Sequence, residues 1–425
     1  MKIACIGTGF VGVVTSAIFA SHGHEVVGLD IDENKVKSLS NGEVPFFEPG
    51  LSELLKKTLA DGHLTFTNSY KKAISNAEII FIMVGTPSAA DGQADLKYVF
   101  AAAESMAPYL KKEAVVVVKS TVPPGTSKEV AKIIKQKTKT SFTTASVPEF
   151  LREGSAVEDT LHPSRVVIGT TDKKTGEKLT QLHRPLSDKI IIMKPESAQM
   201  AKYASNTYLA TRITFINQIA DLCEKNGADV EEVVAGIGED PRIGTHYWYP
   251  GFGYGGSCFP KDVSELAAYS RAVGESNNLM NKVHELNLAR TPYLMEKMGQ
   301  KIGGWKDKQV AVLGLSFKPN TDDTREAPST AIIKYLQQQK ANIFGFDPRA
   351  KWSGETTNFS QKKSLEEAVA HADVIIAVIE WLEIISFDFS KTKLNKPQFF
   401  IDGRNQFDPA TIKNWNYIYL SIGRG

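Results

Sequence analysis

A glycine-rich turn near the start of the chain, Gly7-Thr-Gly-Phe-Val-Gly12, most limits the folds open to this chain. It follows a predicted strand, Lys2–Ile6, and opens a predicted helix, Gly12–His22. The first glycine allows a tight turn, the second lets the backbone approach a pyrophosphate, and the third lets the helix pack on the strand. The arrangement predicts an α/β unit that binds a dinucleotide. Its candidate contacts are Gly7, Gly9, Phe10, Val11 and Gly12.

An acidic residue lies where such a unit binds the adenosine ribose. Asp30 ends the next predicted strand, Glu25–Asp30, eighteen residues after Gly12. Its carboxylate can accept hydrogen bonds from both ribose hydroxyls and would repel a ribose 2′-phosphate. The sequence therefore favours NAD over NADP.

Short apolar runs alternate with helical patterns through the first third of the chain, which predicts a parallel, doubly wound sheet. The candidate strands are Lys2–Ile6, Glu25–Asp30, Ile79–Val84, Ala114–Lys119 and Arg165–Gly169. Right-handed crossovers place the carboxyl ends of these strands at one edge, where ligands bind. The glycines and prolines at 84–87 and 119–125 either simply end two strands or mark cofactor contacts at Thr86 and Thr121.

Strand signals are absent from Pro195 to about Gly303. Apolar residues spaced by four and three predict one long helix there, Glu196–Asn226, ended by Gly227. The apolar stripe of this helix comprises Leu209, Ile213, Ile216, Ala220 and Cys223. Strand signals return, without a second three-glycine turn, at Gln309–Leu315, Ala341–Phe346, Asp373–Ile379 and Gln398–Ile401.

These patterns predict an α/β protein with two Rossmann-like, doubly wound domains joined by a central helical region, whose long helix serves as a spine and dimerisation surface. The predicted boundaries are 1–195 for the N-terminal NAD-binding domain, 196–303 for the helical region and 304–425 for the C-terminal α/β domain. A length of 425 residues suits this division, because domains average about 150 residues.

Composition excludes several other classes of protein. Hydrophobic residues make up 42% of the chain, which is enough to form buried hydrophobic cores. The net charge of +2 does not indicate that the chain as a whole binds nucleic acid or an anionic membrane. The three cysteines lack paired spacing, which argues against disulfides and a zinc site. No uninterrupted apolar stretch reaches the ~18 residues of a membrane span. We therefore expect a cytoplasmic protein without a bound metal.

Two polar residues fall on the apolar stripe of the predicted long helix. Steps of three and then four residues back from Leu209 reach Asn206 and Lys202. A buried ammonium needs a partner, and burial lowers its pKa toward that of a usable base. The spacing alone leaves a structural salt bridge and a catalytic role equally open. Elsewhere, Glu149 and Glu153 would share one helix face, and their spacing alone favours a solvated face.

Cys258 follows a glycine-rich segment, with five glycines between positions 244 and 256. It lies two residues before Pro260, a residue that suits the first turn of a helix, and three before Lys261. A thiol at a helix N-terminus near a lysine has a lowered pKa and is a good nucleophile. Cys5, inside a strand, and Cys223, on the apolar stripe, are predicted to be inert core residues.

Taken in order, these segments resemble the UDP-glucose/GDP-mannose dehydrogenase family along nearly the whole chain. The matching segments are GTGFVG at 7–12, FFEPGL at 46–51, KSTVPPGT at 119–126, VPEFLREG at 147–154, AKYASNTYLA at 201–210, DPRIG at 240–244, GYGGSCFPKD at 253–262, LSFKPNTDDTRE at 315–326 and IDGR at 401–404. The segment GYGGSCFPKD resembles the branch that acts on UDP-glucose. One departure is Val147, where asparagine is common in the family.

The resemblance implies two successive NAD-dependent oxidations of the sugar's 6-hydroxyl. Lys202 would assist removal of the hydroxyl proton, with Asn206 stabilising the oxyanion, and Cys258 would hold the aldehyde as a thiohemiacetal and then a thioester. The implied catalytic residues are Cys258, Lys202, Asn206, Asp262, Glu149 and Thr121. The further candidate cofactor contacts are Lys35, Thr86, Thr121, Glu153, Lys261 and Arg325.

The resemblance also implies a substrate site, in place of the solvated face that spacing favours at Glu149 and Glu153. The implied substrate contacts are Glu149, Phe150, Leu151, Glu153, Lys202, Asn206, Arg242, Tyr247, Gly251, Phe252, Gly253, Gly255, Lys318 and Arg404. Arg242 resembles an arginine that reaches the substrate of a neighbouring subunit, which implies at least a homodimer. The C-terminal domain would bind the UDP-sugar.

Three other functions compete with oxidation of UDP-glucose. One is dehydrogenation of another nucleotide sugar, such as GDP-mannose or a UDP-N-acetylhexosamine. A two-electron hydroxyacid or 6-phosphogluconate-type dehydrogenase also joins an NAD(P) domain to helices, but needs neither a nucleophilic cysteine nor a second α/β domain. An NAD-sensing module would bind without turnover.

Overall fold

The computed structural model describes residues 1–392 and 398–424 and has the predicted α/β architecture. By its internal contacts the chain divides into two compact units. The first comprises Met1–Ser205 with Glu265–Glu275, and the second comprises the remainder. The boundary therefore falls inside one long helix, Pro195–Asn226, between Ser205 and Asn206. Among the described residues, no helix combines the length and apolar character needed to cross a membrane.

The first unit is built on an eight-stranded sheet in the order β3-β2-β1-β4-β5-β6-β7-β8. Its strands are β1 (Lys2–Ile6), β2 (Glu25–Leu29), β3 (Leu64–Thr67), β4 (Ile79–Ile82), β5 (Ala114–Val118), β6 (Phe142–Ser146), β7 (Val166–Gly169) and β8 (Ile190–Met193). All neighbours pair in parallel except β6 and β7. Sequence patterns missed β3, β6 and β8, because the first two mix threonine with apolar residues and the third is an edge strand.

Helices cover both faces of this sheet. They are α1 (Phe10–Ser21), α2 (Glu33–Ser40), α3 (Leu51–Ala60), α4 (Tyr70–Ile74), α5 (Lys97–Met106), α6 (Thr126–Lys137), α7 (Ala156–Leu161) and α8 (Lys173–His183). Successive side chains of a strand face opposite sides. In β1, Ile3 and Cys5 join the core on one face of the sheet, while Ala4 and Ile6 join the core on the other. Burial on both faces explains why the strands are continuous apolar runs.

Four helices follow, and then a second sheet. The helices are α9 (Pro195–Asn226), α10 (Val230–Gly238), α11 (Phe259–Ala272) and α12 (Leu279–Ile302). As predicted, α9 ends before Gly227, whose φ of +81° is a left-handed conformation that suits glycine. The sheet has the order β11-β10-β9-β12-β13-β14. Its strands are β9 (Gln309–Leu313), β10 (Asn342–Phe346), β11 (Phe359–Gln361), β12 (Val374–Ala377), β13 (Gln398–Asp402) and β14 (Tyr417–Leu420). Its helices are α13 (Pro328–Gln338), α14 (Leu365–Val369), α15 (Leu382–Ile385) and α16 (Pro409–Asn414).

The second sheet repeats the strand order of the first six strands of the first sheet. The turn after the first strand is also repeated: Gly7 has φ +95° and Gly314 has φ +94°. Each donates its N–H at 2.8 Å to the last residue of the next strand, Leu29 or Phe346. The chain thus contains two sheets of Rossmann type, although only the first carries three glycines in this turn.

Candidate active site

The three glycines of the first turn have different surroundings. A Cβ on Gly7 would lie 2.7 Å from the carbonyl oxygen of Met83, and one on Gly12 would lie 1.9 Å from that of Gly7. A Cβ on Gly9 would meet nothing within 4 Å in the described part of the chain. Gly7 and Gly12 are therefore required by packing, while Gly9 leaves open space directly before α1. Phe10 and Val11 form the first turn of α1, so this space lies at a helix N-terminus that favours a phosphate.

Asp30 is held in one orientation after β2. It is buried, and it accepts hydrogen bonds from the backbone N–H and the hydroxyl of Thr8, at 3.0 and 2.7 Å, and from the N–H of Asp32 at 3.1 Å. Burial raises the pKa of Asp30, but these bonds and the ammonium of Lys35, 3.1 Å away, together hold the pKa below its usual value. The carboxylate is therefore ionised. Sequence patterns missed Thr8, whose short side chain gave no signal.

The turns that follow β4 and β5 are tied to each other. The hydroxyl of Thr86 donates to the carbonyl oxygen of Thr121 at 2.9 Å, and that of Ser120 donates to the carbonyl oxygen of Val84 at 2.7 Å. These parallel strands are adjacent, so their turns share the ligand edge of the sheet. The two threonines predicted as cofactor contacts thus belong to one hydrogen-bonded structure.

Glu149 and Lys202 form a buried ion pair. The ammonium of Lys202 lies 2.7 Å from Glu149 Oε1, and the second oxygen of Glu149 accepts the N–H of Leu151 at 2.8 Å. Phe150 contacts two cations: the Arg165 guanidinium is 3.9 Å from its ring centroid and the Lys202 ammonium is 5.6 Å away. The ion pair thus brings the carboxylate of Glu149 into direct contact with Lys202, a candidate base.

The solvated helix face suggested by the spacing of Glu149 and Glu153 is wrong. Both residues are buried, and residues 147–154 form a loop rather than a helix. Pro148 helps to explain this difference, because proline restricts the residue before it to extended conformations. The substrate site that the family resemblance implies for both residues stays a prediction.

A second hydrogen-bonded network surrounds the buried Asp262 in the first turn of α11. Asn206 Nδ2 donates to Asp262 Oδ2 at 2.6 Å, and the ammonium of Lys261 lies 2.6 Å from Asp262 Oδ1. The N–H of Asp262 donates to the carbonyl oxygen of Cys258 at 2.8 Å. Asn206 and Lys202 are four residues apart on α9, so both lie on one face of that helix.

The three cysteines differ in exposure. Cys258 immediately precedes α11 and is exposed, whereas Cys5 and Cys223 are buried, as predicted. Burial raises the pKa of the Cys5 thiol to about 12. The thiolate is the reactive form of cysteine, so Cys5 is inert at neutral pH. Of the three cysteines, Cys258 is the one whose side chain is open to solvent.

Side chains from α9 and α12 hold the backbone of the glycine-rich loop that precedes Cys258. Asn217 Oδ1 accepts the N–H of Gly251 at 2.8 Å, and Arg290 Nε donates to the carbonyl oxygen of Gly251 at 3.0 Å. The hydroxyl of Thr291 donates to the carbonyl oxygen of Phe252 at 2.8 Å. Sequence patterns missed these residues, because each contact joins positions more than thirty residues apart.

Asn287 extends this set of contacts and explains one of the glycines. Its side chain accepts the N–H of Tyr254 at 2.9 Å and donates to the carbonyl oxygen of the same residue at 3.0 Å. A Cβ on Gly253, where φ is +102°, would lie 2.7 Å from Asn287 Oδ1. Farther along the loop, a Cβ on Gly255 would lie 2.2 Å from the carbonyl oxygen of Glu326. The loop approaches its neighbours so closely that only glycine fits.

Comparison with known proteins decides the family. Residues 1–187 match the NAD binding domain of the UDP-glucose/GDP-mannose dehydrogenase family, residues 196–289 match its central domain and residues 311–409 match its UDP binding domain. This chain belongs to the UDP-glucose/GDP-mannose dehydrogenase family. Its cofactor is NAD. The open space at Gly9 and the ionised, oriented Asp30 fit that cofactor.

Relatives within the family are similar along the whole chain. A protein of Bacillus subtilis (strain 168) named UDP-glucose 6-dehydrogenase TuaD is 43% identical over 429 residues, covering all of this chain and 93% of the relative. A solved UDP-glucose dehydrogenase from Pyrobaculum islandicum is 34% identical with a TM-score of 0.93, over 100% of this chain and 98% of that one. A UDP-D-ManNAc dehydrogenase from Pyrococcus horikoshii is 27% identical with a TM-score of 0.87, over 100% of both chains.

Two of the expected substrate contacts lie in the segment that matches the family's UDP binding domain. Arg404 follows β13 and forms a two-point ion pair with Glu380, at 2.8 and 3.1 Å. Lys318 follows β9, with its ammonium 5.6 Å from the ring centroid of Phe317. A Cβ on Gly251 would lie 3.4 Å from the Arg404 side chain. Arg404 and the glycine-rich loop are thus direct neighbours.

The remaining expected contacts are less enclosed. The side chain of Arg242 is 88% exposed and pairs with Asp240 at 2.6 Å. Arg325, an expected cofactor contact, is 65% exposed and pairs with Asp323 at 2.7 Å. Tyr247 has a positive φ of +66° and packs on the rings of Tyr249 and Phe259, with centroids 5.7 and 6.0 Å away.

The second sheet has its own counterpart of Asp30, but its oxygens are already used. Asp347 follows β10 and accepts the backbone N–H groups of Leu315, Ser316, Arg349 and Ala350 at 2.7–2.9 Å. The indole of Trp381 donates to the same carboxylate at 3.2 Å. This aspartate therefore holds together the turns that follow β9 and β10.

Proposed function

We propose that this protein oxidises the C6 primary alcohol of UDP-glucose to a carboxylate, forming UDP-glucuronate with two equivalents of NAD. The observation that carries the proposal is the exposed Cys258 beside the hydrogen-bonded Asn206–Asp262–Lys261 network, in a chain that also matches an NAD binding domain. A primary alcohol reaches the acid level in one site only if the aldehyde is retained, and a thiolate can retain it. The relatives named for oxidation of UDP-glucose support the choice of substrate.

The first oxidation needs a group that takes the proton of the 6-hydroxyl. Bound NAD supplies the acceptor for the hydride. Lys202 assists removal of the proton, and its buried pairing with Glu149 gives that proton a neighbouring acceptor. Asn206, held by Asp262, donates to the developing oxyanion, an interaction worth about 3 kcal/mol in sites of this kind.

The second oxidation uses Cys258. Its thiolate adds to the aldehyde carbon and forms a thiohemiacetal. This becomes a thioester when it loses the second hydride and its hydroxyl proton, which goes to the same proton acceptor as in the first oxidation. Water then attacks the thioester carbon, the C–S bond breaks, and the Cys258 thiolate is restored. Thr121, Asp262 and Glu149 position this water.

The yield of NADH tests the proposed function directly. We expect two NADH per UDP-glucose consumed, measured by absorbance at limiting substrate with excess NAD. One NADH per substrate would indicate a two-electron dehydrogenase, and none would indicate an NAD-sensing module. A panel with GDP-mannose and UDP-N-acetylhexosamines tests the sugar, and faster turnover of either would replace UDP-glucose as the substrate.

We also propose that the protein acts as a homodimer through α9. Tyr208, Phe215 and Leu222 are spaced by seven residues along this helix, and 60%, 52% and 56% of their surfaces are exposed. This spacing puts them on one face as an apolar stripe, the usual form of a helix–helix contact. Sedimentation should show a dimer that Phe215→Asp dissociates. Leu382→Asp, a control at another exposed leucine, should leave the dimer intact.

Arg242 then acts on the substrate of the partner subunit. Its exposure and its pairing with Asp240 hold the guanidinium at the protein surface, which supports this role. Arg242→Ala should raise the KM for UDP-glucose far more than that for NAD. Mixing it with Cys258→Ala should restore part of the activity once subunits exchange. Full activity of a strict monomer would refute the assignment.

The division of labour along the chain follows the three family matches. We propose NAD binding in 1–195, dimerisation and the catalytic cysteine in 196–303, and UDP-sugar binding in 304–425. The matched ranges 1–187, 196–289 and 311–409 support these boundaries. All three cysteines are free, which supports a cytoplasmic, reducing location.

A further inference from the structure

We propose that the segment Phe46–Leu51 is a strap that couples the dinucleotide turn to the Glu149–Ala156 loop, with Glu48 as a positioning residue of that loop. The proposal rests on the proposed function, because that function assigns the loop to the active site. The reaction steps above use no residue of this segment. Its contacts nevertheless reach both of the elements that the reaction needs.

The side chain of Glu48 binds the backbone of the loop. Its side chain is 5% exposed, and its two oxygens accept the N–H groups of Gly154 and Ala156, each at 2.6 Å. These donors lie 106 and 108 residues farther along the chain. Hydrogen bonds from N–H groups to a carboxylate are about twice as strong as neutral ones. A single buried side chain thus fixes the two residues that flank Ser155.

The first of the two bound residues, Gly154, directly follows Glu153. Gly154 has φ +81°, a conformation that most residues avoid, so the chain turns sharply at this point. At the other end of the loop, Lys202 holds Glu149 at 2.7 Å. In between, the N–H and guanidinium of Arg152 donate to Asp159 at 2.7–2.9 Å. The beginning and the middle of the loop are thus anchored by Lys202 and Asp159, and Glu48 anchors its end.

The other side of the strap contacts the dinucleotide turn. The rings of Phe46 and Phe10 pack with centroids 4.9 Å apart, and Phe10 is the first residue of α1. Phe46, Phe10 and Leu151 all pack against the same core cluster. The strap itself is fixed by α3, since Leu51 and Leu55 are fully buried. Residues 46 and 48 therefore contact the cofactor turn and the catalytic loop from one short segment.

Replacement of Glu48 tests its positioning role. Glu48→Gln keeps the shape of the side chain, but its amide nitrogen cannot accept a hydrogen bond from an N–H group. One of the two hydrogen bonds to the loop backbone is therefore lost. We expect a folded protein whose kcat falls at least tenfold, because small misplacements of catalytic groups cost that much. The dissociation constant for NADH, measured by fluorescence, should rise by a smaller factor than kcat falls, because Gly7–Gly12 and Asp30 are untouched and only Glu153, next to Gly154, is displaced among the candidate cofactor contacts. Glu53→Gln, an exposed glutamate on α3, is the matched control and should be unchanged.

Phe46→Leu tests the contact between the strap and the dinucleotide turn. Its effects on NADH binding and on kcat should be the reverse of those of Glu48→Gln. We expect weaker NADH binding with kcat largely kept at saturating NAD, because the change removes a ring contact to Phe10. In the double variant Phe46→Leu/Glu48→Gln, the two effects on kcat/KM should deviate from the product of the single effects, because the contacts share one segment. Multiplicative effects would contradict coupling through the strap.

Amide exchange separates this inference from the proposed function. In Glu48→Gln, the peptide that contains Gly154 and Ala156 should exchange faster than in the unmodified protein, whatever the substrate. If the unmodified protein does not oxidise UDP-glucose, the proposed function is wrong. The exchange measurement would still test whether Glu48 holds the backbone of Gly154 and Ala156. A folded Glu48→Gln with unchanged exchange and kcat within twofold would overturn the inference. If that variant does not fold, Glu48→Asp, which keeps the charge but is one methylene shorter, must meet the same criteria.

Discussion

The ammonium of Lys202 lies 2.7 Å from the carboxylate of Glu149, and the two side chains are only 3% and 8% exposed. Lys202 comes from α9 and Glu149 from the loop after β6, so this contact joins two elements that are 53 residues apart in sequence. A buried ion pair contributes little net stability, but the loss of one partner leaves a buried charge uncompensated. The pair therefore matters for stability and for the proposed proton transfer in different ways.

Single and double replacements separate those two effects. Lys202→Met and Glu149→Gln should each lower the free energy of unfolding by about 3–5 kcal/mol, because each leaves the other group unpaired. The double variant should regain most of that stability and yet remain inactive, because it lacks the base. Urea unfolding and the rate of NADH formation measure the two properties. A double variant with substantial activity would contradict the role of Lys202.

An exposed ion pair provides the matched control. Lys173 and Glu177 lie one turn apart on α8, with side chains 91% and 65% exposed. Replacing them as Lys173→Met and Glu177→Gln should change stability by no more than about 0.5 kcal/mol, the range of such surface pairs. Turnover should be unchanged.

Local features of the sequence were enough to predict the local structure and the burial of several candidate site residues. The glycine turn and Asp30 are readable because a strand, a tight turn and a helix are consecutive. Lys202 and Asn206 are readable because helical spacing alone places them on the buried face of α9. Both are indeed buried.

Contacts between distant segments were not predictable from the sequence. The spacing of Glu149 and Glu153 suggested a solvated helix face, because spacing cannot show that a loop is folded inward under Lys202 and Glu48. Asn287 and Arg290 show no local signal either, since their partners are carbonyl and N–H groups that every residue carries. The two sheets share one strand order although their sequences are not an obvious repeat. Strand order depends on how distant strands pair, so the sequence did not show it.

Asp30 should determine the choice of cofactor. Asp30→Ala removes an acceptor for the ribose hydroxyls and should lower kcat/KM for NAD by ~10–100-fold, since bonds to charged groups contribute about 1.5–3 kcal/mol. It also frees Lys35, whose ammonium lies 3.1 Å from Asp30, to meet a 2′-phosphate. Activity with NADP should therefore rise relative to NAD.

The double variant Asp30→Ala/Lys35→Met tests this reasoning, because it should lose the gain with NADP. Steady-state kinetics with both cofactors measure the ratio. Equal kcat/KM for NAD and NADP in the unmodified protein would refute the assignment of Asp30.

Cys258 should be the cysteine that reacts. At pH 8 in the native protein, iodoacetamide should label Cys258 and leave the buried Cys5 and Cys223 unmodified, as read by mass spectrometry. Cys258→Ala should reduce formation of UDP-glucuronate by orders of magnitude while NADH binding survives. Cys258→Ser should form an ester that hydrolyses slowly and accumulates on the chain. Near-normal product formation by Cys258→Ala would rule out the thioester.

The side chains that hold the glycine-rich loop should influence the substrate more than the cofactor. Thr291→Val is nearly isosteric and removes the bond to the carbonyl oxygen of Phe252. We expect it to raise the KM for UDP-glucose by ~5–10-fold, the equivalent of about 1 kcal/mol, with the KM for NAD unchanged. Lys282→Ala, at an exposed position of α12, is the control. Equal increases in both KM values would indicate general loosening instead.

His183 should make the first unit sensitive to acid. Its ring is buried beside Phe19 and Phe81, with centroids 5.6 and 6.4 Å away. Burial, helped by the charges of Lys119 and His24, lowers the pKa of His183 to about 4 from 6.5, although the bond to the carbonyl oxygen of Leu179 opposes this shift. Between these two values the unfolded chain binds a proton that the folded chain does not, so stability falls as the pH drops from 6.5 to 4.

The full difference corresponds to about 3 kcal/mol for a shift of this size. His183→Phe keeps an aromatic ring in the core but cannot titrate, so its loss of stability between pH 6.5 and 4 should be smaller by that amount. All five tryptophans lie after residue 205, so urea unfolding is best followed by circular dichroism, which also reports on the first unit. His162→Phe, at a largely exposed histidine, is the control and should keep the original dependence on pH. An unchanged pH dependence in His183→Phe would show that other groups govern the acid sensitivity of this unit.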